Sequence, residues 1–282
     1  MENYPEQIRR NGWFLPDKGL HPLAEEAVEA SKRIYAGVHK TRLLPSAWLS
    51  QNSSGKVLLK LESEQVTGSF KARGAMNKVL SLSQEQLSAG LVTCSTGNHA
   101  LAFLNACSRL DNKDSGRPDA APLVYLPENA SAGKAAKLAA LGARLVRVGG
   151  DAVEAEIAAR SEAERLGAIY VSPYNDPAVA GGQGTIALEL LAEIDHLDAV
   201  FVPVGGGGMI SGIAAVLKEA APAVHIVGCQ PSASDVMRRS VDAGRIVEHP
   251  SLPTLSDGTA GGVEEGAITL EPCMRLVDEP HA

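Results

Sequence analysis

The chain has 282 residues, of which 45% are hydrophobic, enough for one large core or for two lobes around a cleft. Its net charge is -7 and no basic stretch is interleaved with aromatic residues, which argues against a nucleic-acid partner. The first residues are partly acidic, unlike a targeting peptide, and no run approaches the ~18 apolar residues that span a bilayer. We therefore expect a soluble, cytoplasmic protein without a membrane partner. Its four cysteines form no C-x-x-C pair and are expected to be reduced.

Short apolar runs alternate with longer segments of helical character. The apolar runs predict buried strands at 56–62, 90–95, 122–127, 143–149, 168–173, 199–204 and 224–230. Helical spacing of apolar residues predicts helices at 98–110, 131–142, 151–167, 183–194 and 210–221. This alternation is typical of an α/β fold with parallel sheets covered by helices. Gly142 and Gly167 are expected to take left-handed helix ends, and residues 110–122 an exposed loop.

A run of four glycines lies between a predicted strand and a predicted helix, in VFVPVGGGGMISGIAAVL (200–217). Without side chains, these residues let backbone N–H groups surround an anion at a helix N-terminus, and phosphate is the usual ligand. The alternative is a flexible turn. A dinucleotide site is disfavoured: the fingerprint G-x-G-x-x-G is incomplete at 207–212, where Met209 takes the place of its second glycine, and the next strand ends in Cys229 and Gln230 rather than in an acidic residue.

A second strand-to-helix junction, GLVTCSTGNHALAF (90–103), places hydroxyl, amide and imidazole groups within five consecutive residues. Such donors at a helix start suit a carboxylate ligand, but ordinary helix capping explains Ser and Asn equally well. By itself, a histidine such as His99 is more often a structural residue than a catalytic one.

A third junction, TGSFKARGAMNK (67–78), places Lys71 behind a glycine, a serine and a phenylalanine near a helix start. The positive end of a helix lowers the pKa of an amine, and an amine with a low pKa attacks aldehydes. A lysine of this kind together with a phosphate loop indicates pyridoxal 5'-phosphate, which carries both an aldehyde and a phosphate.

Four motifs, in this order, resemble those of the fold-type II pyridoxal-phosphate enzymes, in the branch of threonine/serine dehydratases and serine racemase. They are TGSFKARGAMNKV, STGNHALAF, AGGQGTIALELL and PVGGGGMISGIA, and the resemblance covers about residues 35 to 265.

The resemblance implies a role for each motif. Lys71 is the Schiff-base lysine and the base that moves the substrate's α-proton, while Phe70 lies against the cofactor ring. Asn98 bonds the ring hydroxyl. The residues whose amides bind the phosphate are Gly205, Gly206, Gly207, Gly208 and Met209. The residues that bind the substrate carboxylate are Ser95, Thr96, Gly97 and His99.

The resemblance also implies a two-lobed, tryptophan synthase β-like architecture. A large cofactor-binding domain contains 1–89 and 172–282, and a small mobile domain spans 90–171. Family members continue for several tens of residues beyond LVDE (276–279), so the C-terminal part of the large domain is expected to be truncated here. A homodimer is implied as well.

The activity implied is that of an ammonia-lyase (dehydratase) of amino-acid metabolism, which converts L-threonine, L-serine or a related 3-hydroxyamino acid to a 2-oxo acid and ammonia. His99 favours dehydratases over cysteine synthases, which typically have threonine there. One alternative is an amino-acid racemase, in which Thr96 occupies the position of the second acid. Another is a truncated, non-catalytic cofactor-binding or partner-binding remnant.

Racemase-like members of the family bind a divalent cation through a motif E-P-S-x-x-x-D. The matching stretch here is QPSASDV (230–236), in which Gln230 and Val236 replace both carboxylates. Hard cations need such carboxylates, so we expect no metal at this position.

Overall fold

The computed structural model describes residues 4–110, 121–149 and 152–281. The contacts within the chain define two compact units. We call Met1–Arg33 together with Val171–Ala282 the terminal unit, and Ile34–Tyr170 the middle unit. The domain division implied by the family resemblance assigns residues 34–89 differently, and it stays a prediction.

Helices and strands alternate along most of the described chain. The helices are α1 (Tyr4–Arg10), α2 (Pro22–Arg33), α3 (Ala47–Gln51), α4 (Lys71–Leu80), α5 (Gln84–Ala89), α6 (Asn98–Cys107), α7 (Ala132–Ala140), α8 (Ala152–Leu166), α9 (Pro177–Glu193), α10 (Gly208–Ala220), α11 (Val236–Ala243) and α12 (Leu270–Leu276). The strands are β1 (Leu43–Pro45), β2 (Leu58–Lys60), β3 (Leu91–Cys94), β4 (Leu123–Leu126), β5 (Arg144–Arg147), β6 (Ile169–Tyr170), β7 (Ala199–Pro203), β8 (His225–Cys229) and β9 (Glu279–His281). In the part of the chain that is described, no helix has the length and apolar character needed to cross a membrane.

The middle unit contains a parallel sheet of four strands in the order β5-β4-β3-β6. Helix α8 packs against β3 and β4. Ala159 and Ala163 of this helix form a buried cluster with Val92 of β3 and Tyr125 of β4. Small side chains on the helix let it approach the sheet closely, so the helical spacing of alanines in 151–167 accounts for this layer.

The terminal unit contains a parallel sheet of three strands in the order β7-β8-β9, and α2, α9 and α10 pack against one another. Helix α9 begins at Pro177, after Asp176 accepts a hydrogen bond from the amide of Ala178 over 2.8 Å. A Cβ on Gly212 of α10 would overlap the carbonyl oxygen of Ala180 of α9, so only glycine permits this helix contact.

Strands β1 and β2 form a separate antiparallel pair in the middle unit, with Leu44 opposite Leu59. A strand is therefore present within 56–62, but the expectation that it is buried was wrong. The strand is only Leu58–Lys60, and Leu59 is 41% exposed. Among the described strands it pairs with β1 alone, and such a two-stranded pair leaves part of its surface to solvent.

The other six predicted runs each contain a strand, and all five predicted helices are present. The strands are shorter than predicted by up to three residues at one end, as in β6, which ends at Tyr170. The expected burial was wrong for β5 and β6, which have no fully buried residue. Two differences stand out: α9 begins six residues earlier than predicted, and Phe201 of β7 is 69% exposed rather than buried. Gly142 and Gly167 have φ angles of 86° and 64°, which confirms their left-handed conformation. Residues 111–120 of the predicted loop lie outside the described residues.

Candidate active site

Lys71 is the first residue of α4, as the sequence predicted. A tight turn precedes it: the amide of Gly68 donates to the carbonyl oxygen of Gln65 over 2.7 Å, and Gly68 has a φ of 77°. Glycine adopts this conformation without the strain of a side chain. The turn leaves the Lys71 amine 5.2 Å from the centre of the Phe70 ring.

Burial lowers the pKa of Lys71 from 10.5 to about 8. A charged ammonium loses hydration when protein surrounds it, so the neutral amine is favoured. An amine with this pKa is partly unprotonated near neutral pH, whereas an exposed lysine is almost wholly protonated. Lys71 therefore has the nucleophilic form that attack on an aldehyde requires.

A buried ion pair supports the first turn of α4. The Arg73 guanidinium is fully buried and donates from Nε and Nη2 to the two carboxylate oxygens of Glu62, each over 2.8 Å. The hydroxyl of Thr41 donates to the same carboxylate over 2.5 Å. Because a bidentate guanidinium–carboxylate pair fixes orientation as well as distance, it holds α4 in place two residues from Lys71.

Gln65 fixes the chain that leads into the Lys71 turn. Its buried side chain accepts from the amide of His39 over 2.7 Å and donates to the carbonyl oxygen of His39 over 2.8 Å. The Gln65 side chain thus pairs with both backbone groups of His39, as a neighbouring strand would. Nearby, the Ser69 hydroxyl is buried and has no hydrogen-bond partner within the described ranges.

The second predicted junction lies between β3 and α6, and α6 packs against α4 in the same unit. Its chain turns at Gly97, whose amide donates to the hydroxyl of Ser95 over 3.2 Å. Thr96 is half-buried, and Asn98, the first residue of α6, has an exposed side chain. His99 is buried. Hydroxyl and amide groups thus stand at a helix start, where the helix dipole favours an anion.

The glycine loop, Gly205 to Gly208, connects β7 to α10, as predicted. Gly207 is the N-cap of α10 with a φ of 84°. Among the described residues, no hydrogen bond satisfies the backbone N–H groups of these four glycines or of Met209. These orphan donors at a helix N-terminus form a ready site for an anion.

Neighbouring side chains of the terminal unit press against the glycine loop. A Cβ on Gly206 would lie 2.5 Å from Cγ of the Tyr174 ring, and one on Gly207 would lie 3.0 Å from Cβ of Thr269. The Tyr174 hydroxyl accepts from the amide of Glu264 over 2.9 Å. The packing of these neighbours therefore leaves no room for a side chain at Gly206 or Gly207.

Each of the two units, taken by itself, has features that fit pyridoxal phosphate. The glycine loop offers unpaired amides and no side chain, which suits a phosphate dianion. The middle unit offers an amine of lowered pKa beside an aromatic ring. It also holds the orphaned Ser69 hydroxyl, for which a bound group is a natural partner.

The segment expected to lack a metal is occupied by other contacts. The Gln230 side-chain oxygen accepts from the amide of Arg238 over 2.7 Å at the start of α11. Burial alone would raise the pKa of Asp235, but hydrogen bonds from Arg239 and Arg238 lower it overall. That no cation binds here stays a prediction.

Several supporting residues were missed from the sequence. Arg73, Glu62, Tyr174 and Thr269 were not predicted as part of the site. The TGSFK motif identifies only the residues within it. Thr269 lies far along the chain from the glycine loop that it contacts, so no local motif includes it. The sequence shows an arginine two residues after Lys71 but not that its side chain is buried and therefore needs a paired acid.

Comparison with known proteins places these features in a family. Residues 34–280 match the family described as "Pyridoxal-phosphate dependent enzyme". The L-threonine ammonia-lyase of Thermotoga maritima is 38% identical over 255 residues, which are 90% of this chain and 61% of that protein. The catabolic L-threonine dehydratase of Escherichia coli K12 is 37% identical over 258 residues, 90% of this chain and 75% of that protein.

Among solved structures, maize serine racemase superimposes with a TM-score of 0.81 at 32% identity, covering 92% of this chain and 77% of that one. The predicted α/β fold-type II architecture is therefore confirmed, as is pyridoxal phosphate as the family's cofactor. This chain spans about three fifths of the Thermotoga protein's length. It belongs to the family of pyridoxal-phosphate dependent enzymes.

Proposed function

We propose that this chain is an ammonia-lyase that converts L-threonine, L-serine or a related 3-hydroxyamino acid to a 2-oxo acid and ammonia. The observation that carries the proposal is the lowered pKa of Lys71, about 8, at the start of α4 beside Phe70. The relatives named as threonine ammonia-lyase and threonine dehydratase support the choice of substrate.

In the proposed arrangement Lys71 would hold the cofactor through its aldehyde, and Phe70 would lie against its ring. Asn98 would bind the ring hydroxyl, and the amides of Gly205 to Met209 would bind the phosphate. When bound, the cofactor supplies an electron sink for the negative charge that develops on the substrate α-carbon.

The chain's own residues then orient the substrate and move one proton. Ser95, Thr96, Gly97 and His99 receive the substrate carboxylate at the start of α6, where helix N–H groups favour an anion. The Lys71 amine would be the base that takes the α-proton of the substrate. A base with a pKa near the working pH performs this transfer efficiently in both directions. The proton that Lys71 takes would leave with the β-hydroxyl as water, and hydrolysis of the resulting enamine by a second water would give the 2-oxo acid and ammonia.

Racemisation is the second candidate, supported by the likeness to maize serine racemase and by the half-buried Thr96. It requires a proton donor on the face of the substrate opposite Lys71, and Thr96 is the residue proposed for it. A third possibility is a remnant that binds cofactor or a partner without turnover.

The two-domain organisation stays part of this proposal, with 90–171 as a mobile lobe that excludes water from the reaction. The proposal also includes assembly as a homodimer and a cytoplasmic location. The proposed partner is the amino-acid substrate, with no nucleic-acid or membrane ligand.

The test is product analysis with a matched lysine control. Purified protein with pyridoxal phosphate is given L-threonine or L-serine, and 2-oxo acid, ammonia and D-amino acid are measured together. The lyase proposal expects 2-oxo acid and ammonia in equal amounts, no turnover by Lys71→Ala, and unchanged turnover by Lys134→Ala, whose residue is exposed on α7. Cofactor fixed by borohydride on a lysine other than Lys71, or a protein that binds cofactor without turnover, contradicts it.

A further inference from the structure

The Thr269 hydroxyl forms a hydrogen bond with a backbone group of the glycine loop. The residue is fully buried just before α12, and its hydroxyl donates to the carbonyl oxygen of Gly206 over 2.7 Å. Two further bonds hold the same segment to residues 174 and 175: the amide of Ile268 donates to the Asn175 side chain over 2.9 Å, and that of Glu264 to the Tyr174 hydroxyl. The segment 264–269 is therefore fixed where it meets the loop.

A fixed carbonyl oxygen also fixes the next amide. The peptide bond is planar and trans, so the N–H of Gly207 points away from the C=O of Gly206. Because the Gly206 carbonyl oxygen is held toward Thr269, the Gly207 N–H is directed to the opposite side of the loop. That N–H has no partner among the described residues.

A peptide between two glycines needs such a restraint. With no Cβ on either side, rotation of this peptide plane meets little steric resistance. Gly207 has a φ of 84°, and the N-cap position of α10 has no side-chain hydrogen bond of its own. A turned peptide would present the carbonyl oxygen, a partial negative charge, where the N–H now stands.

We propose that Thr269 is a positioning residue that orients the Gly206–Gly207 peptide so that the Gly207 amide serves a phosphate group. The inference rests on the proposed role of Gly205 to Gly208 as the phosphate loop. It adds a residue outside the four sequence motifs, and it assigns Thr269 an effect on the phosphate alone.

The experiment compares two ligands that differ only in the phosphate. Pyridoxal phosphate and pyridoxal are titrated into each cofactor-free protein by visible absorbance, and the ratio of their dissociation constants is taken. The variants are Thr269→Val, which keeps the shape and removes the hydroxyl, Thr269→Ala, which also removes the methyl, and Thr269→Ser, which keeps the hydroxyl. Ser211→Ala is the control, because the Ser211 hydroxyl is also buried but donates to the Thr269 carbonyl oxygen at 3.5 Å, not to the loop.

Thr269→Val and Thr269→Ala are expected to weaken pyridoxal phosphate about tenfold and to leave pyridoxal nearly unchanged. Thr269→Ser and Ser211→Ala should keep the wild-type ratio. If Thr269→Val does not fold, Thr269→Ala decides the question alone. An unchanged ratio in the hydroxyl-free variants, or an equal loss for both ligands, overturns the role of Thr269. If the wild type binds pyridoxal phosphate and pyridoxal equally, the proposed role of Gly205 to Gly208 in phosphate binding is wrong. That outcome is distinct from a failure of the role of Thr269.

Discussion

Arg73 and Glu62 form a two-point ion pair in which the guanidinium is fully buried and both N–O distances are 2.8 Å. The pair joins α4 to the segment before the Lys71 turn. Removing one member leaves the other charged in a poorly hydrated position. The resulting loss in the free energy of unfolding is larger than the contribution of the intact pair.

Arg73→Met is therefore expected to lower the free energy of unfolding by about 3–5 kcal/mol. The double variant Arg73→Met with Glu62→Met should recover most of that loss. Urea unfolding followed by circular dichroism measures both. Arg42→Ala serves as the surface control, because Arg42 pairs with Glu64 in an exposed position, and it should change stability little. A double variant as unstable as the single one would contradict this account.

The lowered pKa of Lys71 predicts a pH-dependent cost of folding. Between pH 8 and 10.5 the unfolded chain binds a proton that the folded chain does not. Stability therefore rises with pH across this window, and the full penalty is present below pH 8. Lys71→Met removes the penalty and should stabilise the cofactor-free protein at pH 7 by on the order of 2 kcal/mol.

The measurement is chemical unfolding at several pH values, with Lys134→Met as the control from an exposed site. The advantage of Lys71→Met should shrink as pH rises from 8 toward 10.5, and Lys134→Met should show no such trend. A Lys71→Met protein less stable than wild type at pH 7 would show that the amine is not penalised by burial.

The packing of Tyr174 against the glycine loop predicts that Gly206 tolerates no side chain. In Gly206→Ala the new Cβ would lie 2.5 Å from the Tyr174 ring, so loop or ring must move. We expect a loss of about 1–3 kcal/mol in stability and weaker binding of pyridoxal phosphate. Gly258→Ala is the matched control, because a Cβ there meets nothing within 4 Å. Equal cofactor affinity in the two variants would mean that the loop's shape is unimportant.

Much of the fold was predictable because its signals are local. The runs at 90–95 and 199–204 show apolar residues bounded by turn signals, and each contains a strand. The short strands β1 and β9 were missed because three-residue pairings carry too little periodicity to detect. The exposure of Leu59 depends on how many layers cover its sheet, which no local pattern reports.

The candidate site was predictable only where the ligand-facing residues cluster in sequence. Lys71 and the four glycines stand in recognisable motifs, since a covalent amine and a backbone anion site need those residue types. Thr269 was not predictable, because its role depends on a contact with Gly206 across a long stretch of chain. Threonine at a helix start is common for capping alone, so its letter carries no signal.

The segment 230–236 lacks the two carboxylates of the family's metal-binding motif. We therefore predict that divalent cations affect neither the stability nor the turnover of this protein. Gln230 is engaged with the amide of Arg238, and Val236 has no ligand atom. Treatment with a chelator should leave the melting temperature and any turnover unchanged, and added Mg²⁺ or Ca²⁺ should have no effect. Differential scanning fluorimetry and the 2-oxo acid assay test this. A loss with chelator that either cation restores would contradict this prediction.

The balance between elimination and racemisation depends on Thr96 in the proposed mechanism. Elimination needs one base, Lys71, and a leaving hydroxyl, whereas racemisation also needs a proton donor on the opposite face. The β-methyl of threonine restricts χ1, so its hydroxyl reaches fewer directions than that of serine. We expect wild-type protein to yield mainly 2-oxo acid, and Thr96→Ser to raise the racemised fraction severalfold.

Chiral chromatography and a 2-oxo acid assay on the same samples measure both products. Thr93→Ser, the same exchange on the preceding strand β3, is the control and should leave the ratio of products unchanged. If D-amino acid already exceeds 2-oxo acid in the wild type, Thr96 is an effective second acid and the chain is a racemase.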